Sequence, residues 1–240
     1  MRLFIQFCSS IALLACASTA LACCNGYDYT KEDMSGYNLQ PNFHVNGDSD
    51  YSRNGTSFYF YTGYLYTHRF LNNKQQTANA KTGGSTISYS AKNTIPDSYH
   101  GFEIGFGKEL TRHIDMQMGY LQNLRQTRNA TIGGAASKIS GKMNGVQALV
   151  GYVINPDDQF QVMPIAGALI YEFNESITVG SVDYSPANSP VRINPQAGLE
   201  LIFQFNKRVA FRLSGLYAFN TYNSASSGEL NVLGGLSCTL

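Results

Sequence analysis

The sequence predicts an all-β protein, an eight-stranded antiparallel up-and-down transmembrane β-barrel with long extracellular loops. Three observations support this prediction. Apolar and polar side chains alternate with a period of two over long segments, as they do on the two faces of a strand. The connections between these segments alternate between short and long. Charged residues make up 14% of the chain, against roughly 25% in a typical soluble domain, and no uninterrupted apolar run approaches the ~20 residues of a membrane helix.

The clearest alternation runs through residues 191–220. Odd positions in its first half are apolar, whereas most even positions are polar and include Glu200. After a short turn at residues 205–207 the pattern resumes, with Arg212 on the polar face. With a three-residue turn, Glu200 stands directly opposite Arg212, so the sequence predicts a cross-strand ion pair.

Six further segments with a similar pattern are predicted as the other strands, and most of them divide into an apolar and a polar face. The segment at 160–173 is apolar at both parities, so its register stays open. The predicted strands are 57–70, 99–109, 114–125, 145–154, 160–173, 191–205, 209–220 and 229–240.

The connections predict which end of the barrel faces outward. Short ones fall at 110–113, 155–159 and 205–207, and long polar ones fall at 71–98, 126–142, 174–190 and 222–228. This alternation is typical of outer-membrane barrels, which have short periplasmic turns and longer extracellular loops. A soluble secreted β-sandwich is the alternative fold.

In such a barrel the polar faces point into a narrow lumen that side chains fill. Buried charges there require partners, so we expect a lumen ion network formed by Glu103, Asp115, Glu200 and Arg212. Glycines at other lumen positions are expected to make room for these long side chains.

The chain divides into three parts. Residues 1–22 read as a secretory signal with cleavage before Cys23, and a lipobox-like Leu-Leu-Ala-Cys ending at Cys16 is the competing interpretation, with a weaker version at Cys23. Residues 23–56 form a polar segment, either a periplasmic tail or a partial lumen plug. Residues 57–240 form the barrel domain.

Three cysteines remain after cleavage: Cys23, Cys24 and Cys238. Disulfides persist in exported proteins, so a bridge between Cys24, or its neighbour Cys23, and Cys238 is one expectation. Free or lipid-bearing thiols are the other.

The order of strands and loops over residues 57–240 resembles the small eight-stranded outer-membrane barrels of Gram-negative bacteria, such as the OmpA transmembrane domain, OmpX-like proteins and opacity-type adhesins. The resemblance implies a monomer in the outer membrane, surrounded by lipid and lipopolysaccharide. It implies a structural or adhesin-type surface role, in which extracellular loops carry any binding to host-surface or envelope ligands.

Two other functions remain open. One is a narrow porin-like channel, which the crowded lumen disfavours. The other is a lipid-modifying enzyme at the rim, where His68, His100 and Glu172 are expected at similar heights. No catalytic or metal-ligand motif is present, so we expect no enzyme activity, metal or cofactor.

The loops carry most of the distinctive charge. Removal of Arg2 leaves a balanced mature chain, which gives no reason to expect nucleic acid. The third long loop carries Glu175 and Asp183, and the first two are basic. Basic loops suit lipopolysaccharide phosphates or anionic glycans, and solvated surface charge is the alternative. The candidate ligand-binding residues are Lys74, Lys81, Lys92, Arg125, Arg128, Lys138 and Lys142.

Overall fold

The computed structural model describes Arg53 and residues 56–186, 191–221 and 225–240. Within these residues the chain forms twelve strands and one short helix. They are β1 (Phe58–Leu71), β2 (Gln75–Ala80), β3 (Thr86–Ser90), α1 (Ala91–Thr94), β4 (Ser98–Glu109), β5 (Ile114–Asn123), β6 (Gln126–Ile132), β7 (Ala135–Tyr152), β8 (Phe160–Val179), β9 (Val182–Pro186), β10 (Arg192–Gln204), β11 (Val209–Phe219) and β12 (Ser226–Thr239). None of the helical structure in these ranges is long and apolar enough to cross a membrane.

Eight of the strands close into an antiparallel barrel. Their order around the wall is β1, β4, β5, β7, β8, β10, β11 and β12, and the pairing of β12 with β1 completes the circle. Closure leaves no open edge along the wall, so strand backbone groups find partners without water. The predicted fold class and the eight predicted strands are confirmed.

The two faces of the barrel have opposite character. The outer face exposes large apolar side chains, whereas the inner face buries polar and charged ones such as Asp115 and Gln117 together with apolar ones such as Leu65. In β8, where the sequence left the register open, Met163 and Tyr171 point inward. Outward side chains that are 40–54% exposed include Phe60, Ile104, Met118, Val150, Leu199 and Leu213. This inversion of the soluble pattern forms an apolar belt suited to lipid.

The turn between β10 and β11 differs from the predicted one. The register pairs Gln204 with Ala210, so Glu200 faces Ser214 and Arg212 faces Ile202. The three-residue turn and the directly opposed ion pair are therefore wrong. The side chain of Asn206 explains the wider turn, because its Oδ1 accepts the backbone N–H groups of residues 208 and 209 at 2.8 and 2.9 Å.

Short turns lie at one end of the barrel, here called the turn end, and the long connections lie at the other, the loop end. The long connections contain strands that their polar composition did not reveal. β7 and β8 continue past their predicted limits and pair as far as Ser137 and Val179. β6 adds to β7, and β9 adds to β8.

The first long connection crosses the mouth of the barrel. Its hairpin, β2 and β3, pairs with β9 through Asn79 and Ser185. β9 is attached to β8, which is the fourth strand from β1 in either direction around the wall. The hairpin therefore reaches from one side of the barrel to the other. We call β2, β3, α1 and β9 the cap; its side chains Ala78, Tyr89 and Tyr184, with Ile95 directly after α1, are buried.

Candidate functional site

Near the turn end, the lumen holds a chain of buried polar groups that we call the lower ion network: Arg53, Tyr59, Glu109, Asp115, Glu200 and Arg212. Arg212 Nη1 donates to Glu200 Oε1 at 2.7 Å and to Tyr59 Oη at 3.1 Å. Its guanidinium also stacks 4.0 Å above the centre of the Tyr59 ring. Although they are not directly opposite, Glu200 and Arg212 thus meet diagonally across β10 and β11, because both side chains point into the same narrow lumen.

Asp115 joins the network through Tyr59 and Arg53, neither of which the sequence singled out. Tyr59 Oη donates to Asp115 Oδ1 at 2.6 Å, and Arg53 Nη2 pairs with Asp115 Oδ2. Arg53 Nε lies 2.9 Å from Glu109 Oε1. Arg53 belongs to the polar segment 23–56, and its side chain is buried among these lumen groups. The tail and plug alternatives concern the rest of that segment, which lies almost entirely outside the described residues.

Glu103 does not share a cation with the other acids. Its Oε1 accepts hydrogen bonds from Tyr61 Oη at 2.8 Å and from Gln147 Nε2 at 2.5 Å. Gln147 in turn accepts from Gln196 at 2.9 Å. Of the four lumen residues expected to form one network, Asp115, Glu200 and Arg212 are linked through Tyr59, while Glu103 is held by neutral donors.

Glycines on β4 and β5 make room for these side chains, as expected. A Cβ on Gly107 would overlap the Tyr59 ring, and a Cβ on Gly105 would overlap the Tyr61 ring. A Cβ on Gly119 would meet the Glu103 carboxylate. The absence of side chains at these positions is therefore what allows the aromatic rings to cross the lumen.

A second network, the upper ion network, lies near the loop end and comprises Arg69, Tyr171, Glu175 and Glu229. Arg69 Nε lies 3.0 Å from Glu229 Oε1, and its Nη1 lies 3.9 Å from Glu175 Oε1. Tyr171 Oη donates to Glu229 Oε1 at 3.3 Å. The Arg69 guanidinium stacks 3.8 Å above the centre of the Phe173 ring. The sequence places only Glu229 of these residues on a polar face, and it assigns Glu175 to a loop.

The cap touches the upper network through Tyr89, whose hydroxyl donates to Glu175 Oε2 at 3.4 Å. Burial, and then the adjacent Glu175 carboxylate, raises the pKa of Tyr89 well above its usual value, so this hydroxyl keeps its proton at physiological pH. Glu175 thus faces inward under the cap, and Asp183 is the acid of the third loop that remains on the surface side, where it accepts from Thr178 at 2.8 Å.

The seven candidate basic residues separate into two groups and one structural residue. Lys74, Lys81 and Lys92 are exposed in the first long connection. Lys138 and Lys142 point outward from β7, and Arg125 is exposed directly before β6, whose Gln126 pairs with Gly141. We call Arg125, Lys138 and Lys142 the flank cations.

Arg128 has a structural contact. Its Nη1 donates to the carbonyl oxygens of Lys92 and Ile95 at 3.4 and 3.2 Å. It thus ties β6 to the C-terminal end of α1.

The histidines at the loop end do not form a shared site with Glu172. His68 and His100 both point to the outside of the barrel, where His100 Nδ1 contacts Tyr64 Oη and the His68 ring meets Phe70 edge-on at 4.9 Å. Glu172 is exposed on β8, on the opposite side of the wall from β1. Among the described residues, no group of three His, Cys, Asp or Glu side chains is placed to hold a metal ion.

Cys238 lies on β12 with its side chain on the outer parity, and it is disulfide-bonded. Cys24, the predicted partner, lies outside the described residues, as do Cys23, Cys16 and the signal segment 1–22.

Comparison with known proteins finds relatives in structure alone. No family model matches the chain, and no curated protein matches it by sequence. The outer-membrane protein OprG of Pseudomonas aeruginosa superposes with a TM-score of 0.50 and 10% identity over 79% of this chain and 98% of that one. The attachment invasion locus protein Ail of Yersinia pestis gives a TM-score of 0.47 and 12% identity over 77% and 99%. At such identities the similarity concerns the fold.

Proposed function

We propose that this chain, which folds as a small eight-stranded β-barrel of the outer-membrane type, is a non-catalytic surface protein of the Gram-negative outer membrane that binds anionic partners through its loop end. The observation that carries the proposal is the cap. The hairpin of β2 and β3 spans the barrel mouth and pairs with β9. This pairing makes the first and third long connections one folded platform on the extracellular side.

The barrel wall supports the membrane location. Its outer face is a belt of exposed apolar side chains, and its inner face buries ion pairs such as Arg212–Glu200 beside apolar side chains. A closed barrel with this polarity has its lowest free energy with lipid around it.

The cap supports a binding role. Loops held on a rigid scaffold commonly carry the recognition surface of a protein. Here the buried side chains of the cap fix its position, while Lys74, Lys81 and Lys92 remain exposed to solvent. Clustered cations on a fixed platform raise the local concentration of a polyanion.

The flank cations face a different environment. Arg125 is exposed directly before β6, and Lys142 points outward from β7, beyond the part of that strand that carries the apolar belt. Cations at that height face the phosphate groups of outer-leaflet lipopolysaccharide. We therefore assign the cap to soluble or host-surface anions and the flank cations to envelope lipid.

Elution from immobilised heparin, used as a general polyanion, tests the proposal with the full barrel in lipid nanodiscs. We expect Lys81→Glu with Lys92→Glu to elute at lower salt than the wild type, because exposed charges act through screened attraction. Lys207→Glu with Arg208→Glu makes the same charge change at exposed positions of the turn end and should shift elution less.

Equal shifts for the cap variant and the turn-end variant would show that net charge alone drives retention, and the assigned surface would be wrong. Arg125→Glu with Lys142→Glu serves a separate measurement. This flank variant should lose binding to lipopolysaccharide-containing vesicles while it keeps heparin retention close to that of the wild type.

The rim-enzyme alternative makes a different prediction. If His68 and His100 act on lipid A, replacing both with Ala changes the lipid A mass profile of cells that carry the protein. We expect no change, because both rings point outward and contact aromatic residues.

A further inference from the structure

We propose that the outer face of β6, β7 and β8, beyond the apolar belt, binds the phosphorylated core sugars of outer-leaflet lipopolysaccharide. Neutral hydroxyl and amide side chains contact the sugars, and the flank cations hold the phosphates. The proposal rests on the proposed assignment of the flank cations to envelope lipid, and it extends that assignment from phosphates to sugars.

The outer surface of the wall changes from apolar to polar at one level of the strand register. Tyr120, Val146 and Ile170 are paired neighbours on β5, β7 and β8, and all three are exposed. The next outward residues toward the loop end are polar: Gln122, Asn144 and Glu172. The apolar belt therefore ends at the same level on these three strands.

Beyond this level the outward side chains form polar rows, which we call the polar face. The rows pair across neighbouring strands: Lys142 with Asn174; Thr127 with Ser140 and Ser176; and Asn129 with Lys138 and Thr178. Ser140 Oγ and Ser176 Oγ lie 2.8 Å apart. Thr127, Asn129 and Asn174 are exposed, so their polar groups can reach a partner outside the chain.

The polar face is deeper than a layer of phosphate groups. From Glu172 to Thr178, β8 advances by roughly 20 Å at about 3.3 Å per residue. Lipopolysaccharide carries its first phosphates next to the acyl chains and its core sugars farther out. The row of Lys142 lies nearest the belt, at the level of those phosphates, and the two upper rows lie at the level of the sugars.

The composition of the polar face suits a phosphorylated sugar. Ser and Thr hydroxyls and Asn amides both donate and accept hydrogen bonds, as sugar hydroxyls require. The three flank cations add positive charge. The acids at its borders are Glu172 at the lower edge and Asp183 on β9, which accepts from Thr178 at 2.8 Å. Three cations against two acids leave the face positive and complementary to phosphate.

The opposite side of the wall has a different outer surface at the loop end. Phe70 on β1, Phe219 on β11 and Ile193 on β10 are exposed close to the loop ends of their strands. The rings of Phe70 and Tyr217 lie 5.7 Å apart. Apolar and aromatic groups suit acyl chains rather than sugars, so the sugars are placed on the β6–β8 side.

Titration of the barrel in neutral detergent micelles with two water-soluble probes tests the proposal. One probe is lipopolysaccharide freed of its acyl chains, which keeps the phosphates and the core sugars. The other is the bisphosphorylated glucosamine disaccharide of lipid A, which keeps phosphates without the core. We expect the wild type to bind the first probe at least about tenfold more tightly, because the core sugars add hydrogen bonds.

Thr127→Ala with Asn129→Ala and Asn174→Ala removes exposed polar groups without a change of charge. This face variant should bind the two probes about equally, and its affinity for the disaccharide should stay at the wild-type value. Gln75→Ala with Thr77→Ala and Ser88→Ala is the matched control, because it removes as many exposed polar groups from the cap. The control should keep the wild-type preference.

The mobility of unboiled protein on an SDS gel checks that each variant is folded. If the face variant does not fold, Asn129→Ala and Asn174→Ala are measured singly, and each should reduce the preference for the core-bearing probe several-fold. A face variant, or both single variants, with the full wild-type preference would overturn the proposal.

The flank variant, Arg125→Glu with Lys142→Glu, separates this proposal from the phosphate assignment on which it rests. It should lose affinity for both probes. A wild type that binds both probes equally, with a flank variant that binds neither, would overturn the sugar contacts and leave the phosphate assignment standing. A wild type that binds neither probe would overturn both.

Discussion

Arg212 shows how individual residues hold the lumen together. It is 6% exposed, and it contacts Glu200, Tyr59 and Ser237 from three other strands. A buried ion pair offsets the cost of removing its two charges from water. Removing one member leaves the other charge buried without a partner. The cost of a single substitution should therefore exceed the cost of removing the pair.

Replacing Arg212 with Met should lower the free energy of unfolding by about 3–5 kcal/mol, because Glu200 then stays buried without its cation. Glu200→Gln with Arg212→Met should recover most of that loss. Urea unfolding of the barrel in lipid vesicles measures both. The exposed Arg112–Asp157 bridge is the comparison, where Arg112→Met should cost about 0–1 kcal/mol. A double variant as unstable as Arg212→Met would argue against compensation.

Gly107→Ala should destabilise the barrel by about 1–3 kcal/mol, because the new methyl group would overlap the Tyr59 ring and force it off Asp115 and Arg212. Gly215→Ala is the matched control in β11, since a Cβ there meets nothing within 4 Å. Its change should stay within about 0.5 kcal/mol. The same urea titration distinguishes the two, and equal effects would mean that Tyr59 can move aside freely.

At the scale of elements, the cap is the feature that covers the mouth of the barrel at the loop end. Strand pairing between β2 and β9 joins two connections that are far apart in sequence and attached to opposite walls. Tyr89 adds a link from β3 to the upper ion network. We expect the cap to behave as one folded unit.

Asn79→Cys with Ser185→Cys should form a disulfide across the mouth, because directly paired strand residues bring their Cα atoms within the range a disulfide needs. Non-reducing mass analysis of proteolytic fragments would detect the linked peptides. Asn79→Cys with Thr131→Cys, on β6, should remain unlinked. A disulfide in both variants, or in neither, would mean that the hairpin does not rest on β9.

At the scale of the whole molecule, an apolar exterior, a paired interior and a covered mouth act together. The apolar exterior is suited to surrounding lipid, and the wall is closed by hydrogen bonds between strands. The interior carries two ion networks, one toward each end. These features predict a barrel that resists unfolding by detergent and has no continuous aqueous path through it.

The unboiled protein from an outer-membrane fraction should migrate faster on an SDS gel than the boiled protein, because a closed barrel resists detergent until it is heated. Densitometry of the two bands gives the folded fraction at each temperature. A soluble protein whose mobility ignores boiling would instead fit the sandwich alternative.

Planar-bilayer recordings of the purified protein should show no regular conductance steps, since Tyr59, Arg212 and Arg69 cross the lumen and the cap covers its mouth. Arg53→Ala alone should remain silent, because the remaining lumen side chains and the cap stay in place. Regular steps in the wild type would revive the narrow-channel function.

The sequence by itself determined the features that repeat along the chain. Period-two alternation is local, so it located the eight wall strands, divided most of their faces, and placed Glu103, Asp115, Glu200 and Arg212 inside. The alternation of short and long connections, equally local, gave the up-and-down order.

Only the tertiary structure decided which inward groups meet. The side chain of Asn206 widened a turn and moved Arg212 from Glu200 to Ile202 in register. Asp115 pairs with Arg53, which is 62 residues away in the chain, and β2 pairs with β9 across the mouth. The physical reason is that these contacts exist only after the wall closes: closure brings distant strands to one narrow lumen, where charge compensation selects the partners.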